Sequence, residues 1–229
     1  MIYVGVLALS GIEEIDDILE KLPENITERI KRVKFPGERA LKTGAYLLLY
    51  TMYERFFGKG KMPEIIYTPQ GKPFFDGRSD VNKCCHFNIS HDKNTAAVAV
   101  SFDEEVGLDV QSTNQDQNLM ERIERRFGDA ASQIDVDGEI PVSFLFYEVR
   151  DGEVSQMQTA DAEVSAVSEK EAESNPVIRW TALESVLKLD GGGFASINKV
   201  EDIAERSRVK SYILKANGCE YALSVATKK

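Results

Sequence analysis

The chain has 229 residues, 42% of them hydrophobic, enough to bury a core in one larger domain or in two small lobes. Its formal net charge of −10 argues against nucleic acid as the main partner, because such a surface repels phosphate backbones. The three cysteines, Cys84, Cys85 and Cys219, show no CxxC spacing, which argues against a disulfide framework and a zinc site and leads to the expectation of a reducing cytoplasm.

No apolar run approaches the roughly 20 residues of a membrane span. The opening segment Met1 to Leu9 reads as a first strand, without a basic leader or a small-residue cleavage site. Ile12, Ile15, Leu19 and Leu22 then recur at helical spacing until Pro23. Asn25 or Thr27 is placed to cap a short second helix carrying Ile30 and Val33, and Pro36-Gly37 breaks the chain. A long helix is predicted from about Glu38 to Phe57, with Leu41, Ala45, Leu48, Met52 and Phe56 on one stripe and Gly58 at its end.

A β-rich stretch follows. Ile65 to Tyr67 is a short strand leading into the turn Thr68 to Pro73, and His86 to Ser90 is a strand ending in a polar loop. Ala96 to Phe102 and Val106 to Gln111 are predicted to form a hairpin around Asp103-Glu104-Glu105. A helix carrying Leu119, Ile123 and Phe127 comes next. From about Gly128 to Pro176 acids, serines and alanines dominate, broken by the strand-like Val142 to Tyr147. The tract Asp151 to Asn175 reads as a mobile loop or weakly ordered insertion. Helix returns from Val177 to Leu189. Val209 to Ala216, the turn Asn217-Gly218 and Cys219 to Ala226 form the clearest hairpin signal. The order suggests two similar halves, 1–105 and 106–229, each pairing a principal helix with a small antiparallel sheet.

Three segments place polar residues where core patterning would not. On a strand, Asp109 and Gln111 share one face, either as an oxygen-ligand pair for magnesium or as the polar outside of an amphipathic strand. Trp180, Glu184 and Lys188 share a helix face at i, i+4, i+8. Ser90-His91 follows a strand, without the GxSxG pattern of a nucleophile elbow, so a neutral turn histidine competes with a catalytic one. The basic run from Arg29 to Lys42 reads either as a solvated helix face or as a local site for an anion.

Taken together, Gly71-Lys72-Pro73, Phe87-Asn88-Ile89-Ser90-His91, Gly107-Leu108-Asp109-Val110 and Trp180-x-x-x-Glu184-Ser185-x-x-Lys188 resemble the surfactin-type 4'-phosphopantetheinyl transferases in order and separation. The resemblance implies an α+β monomer of two pseudo-symmetric lobes with coenzyme A bound between them. It implies a magnesium-dependent transfer of the phosphopantetheine arm to a serine of an apo acyl or peptidyl carrier protein. By the same resemblance Asp109 and Glu184 match metal ligands, and Lys72, Ser90 and His91 match contacts to the nucleotide phosphates. Arg39, and more loosely Lys31, match the holders of the 3'-phosphate and adenine end, and Lys188 matches the lysine nearest the pyrophosphate. Glu184 or a metal-bound water would take the serine proton. Two positions depart from the pattern: Gln111 stands where a third acid is usual in the metal site, and Leu183 where a lysine commonly precedes the metal-binding Glu. They favour the alternative of a degenerate homologue that binds coenzyme A without efficient transfer.

Overall fold

Runs of β-branched and small apolar residues set the strands, and proline, asparagine and glycine set the helix ends. The structure, a computed structural model, describes residues 1–9, 19, 22–58, 62–76, 85–150, 153–157, 162–216 and 218–229, with only the backbone at 150 and 153. In chain order the elements are β1 (Ile2–Ala8), α1 (Glu24–Lys31), α2 (Pro36–Phe57), β2 (Ile65–Tyr67), β3 (Pro73–Phe75), β4 (His86–Asp92), β5 (Thr95–Ser101) and β6 (Val106–Ser112). There follow α3 (Gln117–Ala131), β7 (Val142–Arg150), β8 (Glu153–Gln156), β9 (Ala162–Ala166), α4 (Glu169–Ser174) and α5 (Pro176–Asp190). A 3₁₀ turn (Gly193–Lys199), α6 (Val200–Glu205), β10 (Ser207–Ala216) and β11 (Cys219–Lys228) complete the chain.

The result is a mixed α/β fold with several sheets, of the α+β kind. One sheet has the order β4-β5-β1-β7-β8, antiparallel except for the parallel pair β1–β7. The other runs β6-β11-β10-β9, antiparallel throughout, and β2–β3 form a separate ribbon. Alternation along β1 divides its side chains between two cores. Leu7 joins Leu48 and Met52 of α2, whereas Val4 and Val6 meet Leu108 and Val110 of β6 and Leu223 and Val225 of β11. A third core lies beneath α5, where Leu183 and Val186 pack on Ala222 and Ala226 of β11. The layers therefore run helix, sheet, sheet, helix, and the odd-numbered positions of β6 face α5.

Helix α2 starts with Pro36 in its first turn and ends at Gly58, whose φ of 80° suits a residue without Cβ. Helix α5 begins where the Asn175 side chain accepts the Val177 N–H, and it ends at Gly191 (φ 81°). The α1 cap differs from expectation. Pro23 holds that position, while Asn25 donates to the Ile65 carbonyl and Thr27 to that of Leu19. Most of the helix expected from Ile12 to Leu22 lies outside the described residues, though Leu19 and Leu22 are buried in the first core.

Two further expectations are corrected. β5 and β6 do not form a hairpin: β4 and β1 occupy both edges of β5, and β6 crosses to the second sheet to pair with β11. Alternating patterns identify strands but not their partners. The tract Asp151 to Asn175 is also not an unstructured insertion where it is described. β8 pairs with β7, β9 pairs with β10 from Ala162↔Ala216 to Ala166↔Tyr212, and α4 opens with a capping box between Ser168 and Glu171. Backbone pairing at a sheet edge needs few apolar side chains, so a polar composition does not forbid it. Among the described residues, no helix is long and apolar enough to cross a membrane.

Candidate functional site

The two sheets meet along β4 and β6 through side chains instead of a ladder. Asn88, Ser90 and Asp92, alternate residues of β4, accept the backbone N–H groups of Leu108, Val110 and Ser112 at 3.1, 3.2 and 2.7 Å. Each buried donor on this edge of β6 thus finds an oxygen, which is why polar residues occupy a buried strand. β4 extends through His91 and Asp92, so His91 belongs to the strand and not to a loop after it.

Helix α5 lies close against β6. A Cβ on Gly107 would collide with the Ser185 carbonyl oxygen and stand 2.7 Å from the Leu189 nitrogen, so only glycine permits this approach. The contact brings Glu184 and Lys188 over Asp109. Asp109 is 1% exposed. Its Oδ1 accepts from Ser90 Oγ at 2.8 Å and from Lys188 Nζ at 2.6 Å, and its Oδ2 accepts from Gln111 Nε2 at 3.3 Å. Lys188 Nζ also donates to Ser90 Oγ at 3.0 Å. Gln111 Nε2 reaches Glu184 Oε2 as well, again at 3.3 Å. Burial, followed by the neighbouring Asp109 charge, pushes the Glu184 carboxyl up to about 8.

These groups line a cleft of about 350 Å³ together with Arg29, Lys42 and His91. The Arg29 guanidinium lies 4.0 Å from the Tyr67 ring centre, and the Tyr67 hydroxyl shares a 2.8 Å hydrogen bond with that of Tyr46. Burial lowers the His91 pKa, with Lys188 and Lys42 adding to the effect, so the ring is neutral at pH 7. A cleft lined by both cations and two acidic side chains suits an anion bridged to a hard cation.

Of the residues singled out in the sequence, the cleft gathers Ser90, His91, Asp109, Gln111, Glu184 and Lys188. Gly71 and Pro73 also line it, whereas Lys31, Arg39, Lys72 and Trp180 do not. Lys31 on α1 and Arg39 on α2 lie outside the lining, while Arg29 and Lys42 supply the cations. Lys72 lines an adjacent cleft with His86 and Glu105, and its Nζ donates to the Leu189 carbonyl at the end of α5. Trp180 stacks on Phe127 and Phe194, with ring centres 5.4 and 5.6 Å away. Leu183 is fully buried in the core under α5, so a lysine there would not project into the cleft. Sequence reasoning missed Tyr46 and Tyr67.

Among the described residues no cluster of three or more His, Cys, Asp or Glu is placed to hold a metal, because the third polar position beside Asp109 and Glu184 is an amide. Two adjacent carboxylates, one with its proton affinity raised by the other, nevertheless suit a hard divalent cation. No protein-family model matches the chain, and no curated protein is a significant match to its sequence.

Proposed function

We propose that the chain is a 4'-phosphopantetheinyl transferase: it binds coenzyme A in the cleft beside β4, β6 and α5 and moves the phosphopantetheine arm to a carrier-protein serine. One observation carries this reading. Ser90-His91, Asp109, Gln111 and Glu184-x-x-x-Lys188, far apart in sequence, converge on a single cleft that Arg29 and Lys42 also line. In this reading the two sheet-and-helix halves correspond to the lobes of the surfactin-type fold, and the protein acts as a cytoplasmic monomer.

The serine oxygen attacks the β-phosphorus of coenzyme A, a new P–O bond forms, and the bond to 3',5'-ADP breaks. Arg29 and Lys42 hold the nucleotide's phosphate charge against an otherwise acidic protein. Ser90 and Lys188 donate to Asp109, and the remaining Lys188 hydrogen steadies the leaving phosphate. Once ionised, Glu184 accepts the serine proton. Asp109 and Glu184 are the residues that would hold magnesium, which when bound supplies positive charge to the phosphates.

A second reading, coenzyme A binding without efficient transfer, is favoured by the Gln111 amide, which offers hydrogens to both carboxylates in place of a third acidic ligand. Incubation with an apo carrier protein, coenzyme A and magnesium separates the two. Transfer adds the mass of one phosphopantetheine to the carrier; calorimetric binding of coenzyme A with no mass gain leaves only the second reading.

A further inference from the structure

Two residues outside the proposed catalytic set determine which end of the Gln111 amide meets the carboxylates. Asp92 Oδ2 accepts the Ser112 N–H at 2.7 Å and the Gln115 Nε2 at 2.6 Å. An ionised carboxylate only accepts, so Asp92 fixes the Gln115 amide with its nitrogen inward. That same nitrogen donates to Gln111 Oε1 at 3.3 Å. Gln111 then has only its nitrogen left for Asp109 Oδ2 and Glu184 Oε2. Turning the Gln111 amide over would set nitrogen against nitrogen at Gln115 and oxygen against the Asp109 carboxylate, and no hydrogen bond can form at either place.

The geometry points to Asp92 and Gln115 as positioning residues that fix residue 111 as a hydrogen-bond donor and so weaken the site's hold on a divalent cation. The chain of polarity runs from Asp92 through Gln115 to Gln111 and ends on the paired carboxylates. Gln111 is thereby a brace between Asp109 and Glu184 and not a cation ligand. A cation entering the pair must displace these amide hydrogens and compete with Lys188 for Asp109. This inference rests on the assignment of Asp109 and Glu184 as the cation-holding pair, and it does not depend on which group is transferred.

The test reverses the chain at constant charge. In Asp92→Asn/Gln115→Glu, residue 115 accepts from the Gln111 nitrogen, and the Gln111 oxygen turns toward Asp109 and Glu184. Calorimetry with magnesium alone is expected to show about tenfold tighter binding than in the unaltered protein, the scale of effects of groups that orient metal ligands. Gln115→Leu, which removes the lock without installing a reversed one, is expected to tighten binding by a smaller factor. The Gln111 side-chain amide resonances, identified by their loss in Gln111→Leu, should shift in both variants before any metal is added. Folding of each variant is checked by its thermal transition. Should the double variant fail to fold, Gln115→Leu carries the same comparison. Magnesium affinity equal to or weaker than that of the unaltered protein, or no magnesium uptake by any of the three, overturns the assignment. Carrier loading by the unaltered protein at saturating magnesium is read separately, so loss of this inference and loss of the transferase reading give different results.

Discussion

The hairpin β10–β11 and the seam between β4 and β6 join strands by different means. In the hairpin ten residue pairs run in unbroken register from Ser207↔Lys228 to Ala216↔Cys219, turning at Gly218 with φ 72°. At the seam no ladder forms, and three side chains of one strand serve the backbone of the other. A ladder satisfies its own polar groups and leaves side chains free to pack. A seam made of side chains ties polar residues to one another and leaves a cleft beside them, so chemistry gathers at the seam and not at the hairpin.

The largest expected effect follows from deleting the carboxylates above the seam. Asp109→Ala and Glu184→Ala should each remove nearly all transfer to carrier protein, whereas Lys215→Ala on the hairpin, an exposed side chain, should leave the rate unchanged. A discontinuous assay of loaded carrier by mass decides this, and near-normal turnover by either variant would refute the roles given to these acids. Next in size, Arg29→Ala should weaken coenzyme A by roughly 1.5–3 kcal/mol, the scale of a hydrogen bond to a charged group. Lys31→Ala, on the same helix but outside the cleft lining, should change the calorimetric affinity far less. Equal losses would restore the sequence-based choice of Lys31.

The seam also carries stability. Asn88→Ala strips the acceptor from the buried Leu108 N–H and should cost about 1–3 kcal/mol in denaturant unfolding, against at most about 0.5 kcal/mol for Lys215→Ala. An effect of comparable size separates the two regions by pH. Folded Glu184 keeps its proton up to about 8, whereas the unfolded chain releases it near 4.5. Between those values the folded state binds more protons, so stability falls as pH rises, by up to about 1.4 kcal/mol per pH unit. Unfolding in metal-free buffer at pH 6 and pH 8 should show this decline, and Glu184→Gln should flatten it. A variant with an unchanged slope would place the titration elsewhere.

Legibility in the sequence follows the same division. The hairpin was readable because its turn and both strands are local, and α2 and α5 were readable from their stripes and end signals. The convergence of Ser90, Asp109 and Glu184 came only through family resemblance. Nothing local in Val106 to Ser112 says that β11 lies on one side and the side chains of β4 on the other. β9 escaped notice because an edge strand is held by backbone bonds that composition does not report. Arg29 and Lys31 lie two residues apart on α1, one on each side of the buried Ile30, so the sequence pattern does not say which of them borders the cleft.

The most direct test of the account is intact-mass measurement of an apo carrier protein incubated with coenzyme A, magnesium and either the unaltered chain or Asp109→Ala. The account predicts one added phosphopantetheine per carrier with the unaltered chain, matched by release of 3',5'-ADP, and an unmodified carrier with Asp109→Ala. Equal modification by both proteins, or none by either while coenzyme A still binds, would contradict it.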